Sequence, residues 1–402
     1  MGKYVKTMLK RKWLVALMIM SVLGVFSGSM ISPIEIKFLN QITHKPSLSS
    51  FAFTFGALAA MLGALWFSSM ANYTERKKVI LVGLILTTVL PLVYANVYTV
   101  MQIYGAKFVW VFAVAGVGTI TGAFIQQEVS DFKSSVGLFF GCFYAIQAGT
   151  GAIGSVIGGV ISDRFGMSYV FYAVFIVYII QLLVIVVAYS EAGKSIASKH
   201  KGVNAFGDAI RLIWYNRELR ARFILVTVFG INWSTKVILY PLIIFSVTMS
   251  DSMTGTVLGT QGFVAMLCLP FVGKVIDKVG YSKVLWFGYA VLGAATLALS
   301  LTSTLWLIWL AVGFVALGEA CNGPAMSTLE VRNIPDGLRN SVVALHSSYA
   351  TFIEIFATSG VGVLLIFINP QEVLFVMAVL IMIALVSVFL FLEINRKKDI
   401  KI

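Results

Sequence analysis

Long apolar blocks recur along this chain and constrain its fold more than any other feature. Each block has about 20 residues, the length at which a helix rising ~1.5 Å per residue crosses a ~30 Å hydrocarbon core. Only 12% of the 402 residues are charged, too few to cover a water-soluble domain of this length. The chain is therefore predicted to be an all-α integral membrane protein with 12 transmembrane helices. The blocks lie at roughly 13–36, 49–71, 79–97, 104–127, 135–160, 168–189, 222–247, 253–273, 284–303, 305–327, 340–368 and 373–392.

The longest polar stretch, about 190–221, separates six predicted helices from six. The two sets also echo each other, because the fourth and tenth blocks both end in Glu-Val followed by a short charged link. Two related six-helix halves would form a site between them near the middle of the membrane. The predicted units are an N-terminal half at 1–190, a cytoplasmic linker with an amphipathic helix at 191–221, and a C-terminal half at 222–402.

Lys and Arg residues are distributed unevenly between the predicted loops. Of 30, 25 fall in segments that face the cytoplasm if the N-terminus does. We therefore predict a multi-pass cell-membrane protein, monomeric in the lipid bilayer, with both termini cytoplasmic. The net charge of +13 is then an orientation signal and implies no nucleic-acid partner. The basic start could belong to a signal peptide, but its apolar run continues to about Ile36, which favours an uncleaved first helix.

The linker contains an amphipathic pattern in the segment 203–219. Its apolar side chains share one helical face, while Asp208 and Arg211 lie elsewhere on the helix. Two interpretations remain open, a helix on the membrane surface that links the halves or an extension of the seventh span. The residues on the apolar face are Phe206, Ile210, Ile213 and Trp214.

The segment GKVIDKVGYSK follows the eighth predicted span. It resembles the cytoplasmic Gly-x-x-x-Asp-(Arg/Lys)-x-Gly-x-(Arg/Lys)-(Arg/Lys) motif of the major facilitator superfamily. In that family the motif latches the two halves in the outward-open state, so the resemblance implies a gating role. In the equivalent segment between the second and third spans, Arg76 and Lys77 fit, whereas Asn72 and Glu75 replace the Asp and second Gly. The residues that match after the eighth span are Gly273, Asp277, Lys278, Gly280 and Lys283.

The fifth predicted span carries GCFYAIQAGTGAIGSVIGG at 141–159. This run resembles the antiporter motif of the same family, Gly-x8-Gly-x3-Gly-Pro-x2-Gly-Gly, with Thr and Ser in place of one Gly and the Pro. Small residues at this spacing let helices approach closely, so the resemblance implies a gating role for Gly154, Gly158 and Gly159. Generic glycine packing is the alternative. The next segment, DRFGMSYVF at 163–171, is similar to the turn after the fifth helix of many members.

Three charged residues lie deep within predicted spans: Lys236, Glu319 and Glu354. A charge at this depth costs at least ~2.5–3.5 kcal/mol on insertion scales and is a functional hypothesis by default. Lys236 is 14 residues from Arg222, and Glu319 is 11 residues from Glu330. At ~1.5 Å per residue these spacings are roughly 21 and 16 Å, a difference that a lysine side chain can bridge. In the family the first, fourth, seventh and tenth helices line the central cavity, so the two groups are expected to pair there.

This pair has two possible roles. Proton binding at Glu319 would break the pair and bias one access state, or the pair is a static ion pair that orders the C-terminal half. Lys107 lies about where many drug exporters of the family carry an Arg in the fourth helix. The predicted substrate-binding residues are Asn232, Trp233, Lys236, Tyr240, Asn322 and Trp110, and the predicted proton-coupling residues are Glu319, Glu354 and Lys107.

The sequence contains no nucleotide-binding Gly-Lys-(Ser/Thr) loop, no His/Cys metal motif and no nucleophile elbow. We therefore expect neither enzymatic activity nor a cofactor. We expect transport to be coupled to protons or to another ion. The chain most resembles the 12-helix drug/proton antiporters. The predicted function is proton-coupled export of an amphipathic or drug-like small-molecule substrate by alternating access. The alternative is proton-coupled uptake of a polar metabolite or of an organic anion bound by Lys236.

Overall fold

The computed structural model describes residues 12–129, 136–188 and 203–399. Every regular element in these ranges is helical. Asp336–Leu338 forms a single 3-10 turn. The helices are α1 (Lys12–Ile31), α2 (Glu35–Thr43), α3 (Pro46–Tyr73), α4 (Arg76–Ala95), α5 (Val100–Val129), α6 (Val136–Phe165), α7 (Met167–Ala188), α8 (Val203–Tyr215), α9 (Arg217–Thr248), α10 (Asp251–Val279), α11 (Tyr281–Ser300), α12 (Leu305–Asn333), α13 (Arg339–Phe367) and α14 (Pro370–Asp399).

Within the described ranges, 12 helices are long and apolar enough to cross a membrane. They are all the helices except α2 and α8, which have 9 and 13 residues. The prediction of an all-α membrane protein with 12 spans is therefore confirmed. The apolar blocks predicted the number of spans because each block alone satisfies its backbone hydrogen bonds as a helix inside lipid.

Among the predicted boundaries that differ from the structure, two have a local explanation. The first span ends at Ile31 and not at Ile36, because Pro33 has no N–H and its ring clashes with a carbonyl one turn earlier. The eighth span continues to Val279, so Asp277 lies in the last helical turn and not in a loop. Gly280, with φ +95°, ends that helix in a backbone conformation that favours glycine.

The linker contributes the short helix α8, and Asn216 separates it from α9. Ala209 of α8 is fully buried in an apolar cluster with Leu219, Ile334 and Val342. Helix α8 thus packs against the C-terminal half. Residues 191–202 of the predicted linker lie outside the described residues.

Helices α6 and α10 run antiparallel and join the two halves along most of their length. A Cβ added at Gly273 would lie 2.5 Å from the Gly137 carbonyl oxygen. One added at Gly255, nearer the other end of the crossing, would lie 2.3 Å from the Ser155 carbonyl oxygen. No side chain fits at these distances, so glycine at these positions lets the two backbones touch.

Helices α3 and α13 form a second contact between the halves. The Ser50 hydroxyl donates to the Thr358 carbonyl oxygen at 3.1 Å, and the Thr54 and Thr358 hydroxyls are 3.0 Å apart. Further along, the Ser348 hydroxyl donates to the Met61 carbonyl oxygen at 3.5 Å. Hydroxyl groups therefore link α3 to α13, whereas glycines allow the close contact between α6 and α10.

The helix ends define two faces of the bundle. We call the face at the start of α4 and the end of α10 the basic end, defined by Arg76, Lys278 and Arg332. The other face, where α6 ends and α10 begins, is the opposite end, defined by Lys37 and Asp251. The space between the two helix crossings, and between these two ends, contains the candidate site.

Candidate functional site

A cavity of about 760 Å³ lies between the two halves. Nine spans line it, and small or apolar side chains form most of its wall, among them Ala115, Gly118 and Ala148. Binding sites for drug-sized ligands have volumes of ~300–1,000 Å³, mostly apolar walls and a few polar groups. The polar groups of this cavity therefore decide which chemistry it can recognise.

Glu319 lines this cavity and forms an ion pair with Lys236 of α9. The Lys236 Nζ atom is 2.8 Å from Glu319 Oε2, and the two side chains are only 22% and 19% exposed. Gln261 Nε2 also donates to Oε2 at 2.8 Å, and Asn232 Nδ2 donates to Oε1 at 3.2 Å. Glu319 thus accepts hydrogen bonds from three side chains on α9 and α10.

Glu354 on α13 lines the same cavity in a different electrostatic environment. Its carboxylate is half-buried and forms neither an ion pair nor a side-chain hydrogen bond with the described residues. Only its backbone carbonyl is engaged, accepting from the Thr358 hydroxyl at 2.7 Å. Three carboxylates therefore line the cavity. Glu319 accepts from three donors, Glu330 contacts Gln126 and His346, and Glu354 has no partner among the described residues.

Two stacked aromatic rings form an apolar wall of the cavity. The ring centroids of Phe229 and Trp233 are 6.1 Å apart with an interplanar angle of 21°. Trp233 is 41% exposed, and the Lys236 Nζ atom lies 5.4 Å from its ring. The exposed part of the Trp233 ring can contact a flat apolar group or a cation.

Asn322 also lines the cavity, as predicted for a substrate-binding residue. Its side chain is buried, and its Oδ1 atom has no hydrogen-bond partner among the described residues. A buried acceptor without a donor costs ~1–3 kcal/mol. A water molecule or a ligand donor in the cavity would remove that cost.

Two predicted substrate-binding residues lie away from the cavity. Tyr240 is fully buried, and its hydroxyl is 3.4 Å from the Thr296 hydroxyl of α11. Trp110 is buried against the rings of Tyr94 and Phe171 inside the N-terminal half. At ~100° per residue, Trp110 is rotated by about 180° from the cavity-lining Thr119 on the same helix. Helical spacing defines a face, but it does not tell which neighbour covers that face at each depth.

Lys107, predicted to couple protons, also lies outside the cavity. It forms a buried ion pair with Glu35 of α2, and its Nζ atom is 4.7 Å from the Phe53 ring. The Tyr94 hydroxyl donates to the same Glu35 oxygen at 3.3 Å. This cluster connects elements within the N-terminal half, near the opposite end.

A polar cluster at the basic end of the cavity was not predicted. The Gln126 side chain of α5 donates to Glu330 of α12, and His346 Nδ1 lies 3.8 Å from the same carboxylate. Arg339 is only 2% exposed, and it donates to the Gln126 and Ile334 carbonyl oxygens. Glu330 and Arg339 lie at the ends of apolar blocks, where charged side chains usually face water.

The residues predicted to act in gating differ in the contacts they make. Asp277 accepts from the backbone N–H groups of Gly137 at 3.1 Å and Leu138 at 2.9 Å, and Arg332 lies 3.7 Å away. Lys278 and Lys283 are exposed at the basic end. Gly154, Gly158 and Gly159 approach the backbones of α1 and α10.

Arg76 and Lys77 make contacts of a different kind. The Arg76 guanidinium lies 3.6 Å from the Phe124 ring and donates to Gln127 at 3.5 Å. Lys77 donates to the Val186 carbonyl oxygen at 3.4 Å. These contacts remain within the N-terminal half, unlike those of Asp277, which cross between the halves.

A multi-pass helical bundle with a partly polar cavity between two six-helix sets is the architecture of membrane transporters. A sequence model of the Major Facilitator Superfamily matches residues 17–236 and 222–401. The chain therefore belongs to the Major Facilitator Superfamily.

The chain is similar to one curated protein and to solved transporter structures. It is 23% identical over 299 residues to an uncharacterized MFS-type transporter of Methanocaldococcus jannaschii, covering 73% of this chain and 75% of that protein. The human organic anion transporter MFSD10 (TETRAN) has a TM-score of 0.71 at 11% identity, covering 94% of this chain and 99% of the other. An auto-inhibited POT family peptide transporter has a TM-score of 0.72 at 12% identity, covering 95% and 96%. The nucleoside transporter NupG has a TM-score of 0.68 at 12% identity, covering 94% and 98%.

The Lys236–Glu319 ion pair should have a measurable coupling energy. In a double-mutant cycle of Lys236→Met and Glu319→Gln, unfolding in detergent should give a coupling of about 1–3 kcal/mol, because each single change strands a charge or donor at the cavity. The pair Lys78–Glu75, at 3.1 Å but 67% and 58% exposed, is the matched control. Its coupling should be below about 1 kcal/mol. Equal couplings for the two pairs would contradict this interpretation of the site.

Proposed function

We propose that this protein is a secondary active transporter that exports an amphipathic small molecule in exchange for protons by alternating access. The observation that carries the proposal is the environment of Glu354. It is a carboxylate in a mostly apolar cavity between the halves, without a partner among the described residues. An ionisable group at membrane depth is expensive, and one kept without a counter-ion implies a transient partner.

The contacts of Glu319 and Glu354 favour protons as the transient partner. Protonating Glu319 would remove the charge that Lys236 pairs with and would weaken hydrogen bonds on the protonated oxygen, Oε2 for Lys236 and Gln261 or Oε1 for Asn232. Protonating Glu354 would displace no partner among the described residues. We therefore assign proton exchange to Glu354 and an ordering role to the Lys236–Glu319 pair. Lys107, paired with Glu35 outside the cavity, takes no direct part in this exchange.

The charge balance of the cavity supports a neutral or cationic substrate. The charge of Lys236 is matched by Glu319 at 2.8 Å, which leaves the carboxylate of Glu354 as the unmatched charge. The exposed part of the Trp233 ring adds a surface that attracts cations and flat apolar groups. Asn322 would supply a hydrogen-bond acceptor to the bound molecule.

The predicted orientation indicates which end of the cavity faces the cytoplasm. The basic end has the excess of Lys and Arg that marks the cytoplasmic side of membrane proteins. We propose that this end and both termini face the cytoplasm in the cell membrane. Export then means that the cavity loads from the basic end and releases at the opposite end.

Transport should depend on a pH gradient and on Glu354. In inverted membrane vesicles with an acid interior, we expect the amphipathic cation ethidium to accumulate with the wild-type protein. The Glu354→Gln variant should lose gradient-driven accumulation, because it can no longer exchange a proton. Fluorescence of ethidium in the vesicle lumen measures the effect, and Glu75→Gln, at an exposed site, is the control. Undiminished accumulation with Glu354→Gln would rule out the proposed proton site.

The charge preference of the cavity can be tested without transport. We expect purified protein in detergent to bind tetraphenylphosphonium more tightly than tetraphenylborate, which has the same shape and opposite charge. Glu354→Gln should weaken cation binding about tenfold, as expected for losing one charged contact. Isothermal titration calorimetry measures both ligands. Preference for the borate, lost in Lys236→Met, would support the organic-anion alternative instead.

A further inference from the structure

One sequence pattern occurs twice in this chain, at the ends of α6 and α10. Both helices end in Gly-x-x-x-Asp-(Arg/Lys)-x-Gly. The final glycines, Gly166 and Gly280, have φ values of +103° and +95° and end their helices in the same way. Because α6 and α10 run antiparallel, the two copies lie at opposite ends of one helix pair. The copies are GVISDRFG at 159–166 and GKVIDKVG at 273–280.

At the basic end, the aspartate of the α10 copy caps α6. The carboxylate oxygens of Asp277 accept from the N–H groups of Gly137 and Leu138 in the first turn of α6. The Asp277 side chain is 15% exposed. A carboxylate at this position satisfies two orphan donors and stabilises the positive end of the helix dipole.

At the opposite end, the aspartate of the α6 copy caps α10. Asp163 accepts from the backbone N–H groups of Asp251 at 3.1 Å and Ser252 at 2.8 Å. It also accepts from the Ser250 hydroxyl at 2.9 Å. Asp163 is exposed at the rim of the bundle. A second set of contacts between the halves lies next to this cap, deeper in the bundle.

That second set involves Asp251, which is only 3% exposed. Its carboxylate accepts from Lys37 Nζ at 2.9 Å and from the Ser162 hydroxyl at 2.8 Å. The same Lys37 Nζ atom lies 3.8 Å from the Phe245 ring. Lys37 and Ser162 belong to the N-terminal half, whereas Asp251 and Phe245 belong to the C-terminal half.

The glycines of the two copies make equivalent close approaches. A Cβ on Gly159 would lie 2.4 Å from the Asp251 carbonyl oxygen, and one on Gly273 would lie 2.5 Å from the Gly137 carbonyl oxygen. Each cap therefore forms only while its own end of the α6–α10 pair is in backbone contact. Separating that end would break the cap and expose its donors to water.

We propose that Asp163 is a latch for the opposite end of the transporter, reciprocal to Asp277 at the basic end. Each aspartate is carried by one half and caps a helix of the other half. Opening an end breaks its own latch and leaves the other latch formed. The relative strength of the two latches sets which end of the cavity is open more of the time. This inference rests on alternating access in the proposed function but needs neither a substrate nor a proton.

Cysteine accessibility would report the open end. In a background with Cys142, Cys268 and Cys321 replaced by alanine, one reporter is Ser359→Cys, at the α3–α13 contact toward the opposite end. The other is Ser327→Cys, which is buried toward the basic end, where it contacts Tyr144. A membrane-impermeant maleimide is applied from each side, using right-side-out and inverted vesicles.

Removing one latch should shift the two labelling rates in opposite directions. Asp163→Ala should raise the labelling rate of the cysteine at 359 by about threefold or more, because the loss of one helix cap changes the equilibrium by about that factor. It should lower the labelling rate of the cysteine at 327. Asp277→Ala should do the reverse, and the double variant should restore the wild-type ratio. The control is Glu372→Ala, because Glu372 accepts from the Asn369 N–H and so caps a helix within one half. It should leave the ratio unchanged.

The opposed shifts separate a latch from a general structural role. If Asp163→Ala raised both rates together, or left labelling at 359 unchanged, the latch proposal would be overturned. Failure of ethidium export with the opposed shifts intact would overturn the proposed substrate and coupling while leaving the latches in place. Asp163→Asn, which retains one acceptor oxygen, should restore part of the wild-type ratio.

Discussion

The rest of this structure depends on the requirement that a charge inside a membrane bundle must have a partner. Lys236 lies against Glu319, Lys107 against Glu35, and Asp251 against Lys37. Each of these pairs links different helices, so each also determines how those helices pack. Glu354, which lines the cavity without a partner among the described residues, departs from this rule. Its position in the cavity is the reason for proposing that it exchanges protons during transport.

Lipid tails give helices no hydrophobic reason to associate, so close packing and polar contacts must hold the halves together. Glycines at the α6–α10 crossing and hydroxyl groups at the α3–α13 crossing supply these contacts. Glycine contacts and hydroxyl hydrogen bonds are each weak, and a cavity lies between the two crossings. Such contacts can break at one end while they persist at the other, as alternating access requires.

Much of the fold could be predicted from the sequence, because in lipid an apolar block of sufficient length has one stable backbone conformation. The depth argument also led to Lys236 and Glu319, because two helices that start at one surface can be measured from that surface. It could not show that Gln261 and Asn232 also donate to Glu319, since helical spacing does not tell which side chains of neighbouring helices meet.

The other predictions that failed have the same cause, because they depended on contacts with helices that are distant in the sequence. Tyr240 lies on the predicted face of α9, but α11 covers that face at its depth. Lys107 finds Glu35 on α2, a helix that the first apolar block did not separate from the first span. Arg339 and Glu330 lie at block ends and are nevertheless buried, because helices from both halves converge there.

The central claim is that proton and substrate compete at Glu354. Proton release on ligand binding, measured with a pH indicator in weakly buffered detergent solution, tests it most directly. Linkage predicts that binding of tetraphenylphosphonium to the wild-type protein releases up to about one proton, and that Glu354→Gln releases none. Cation binding to the wild-type protein without proton release, or equal release from the variant, would contradict the account.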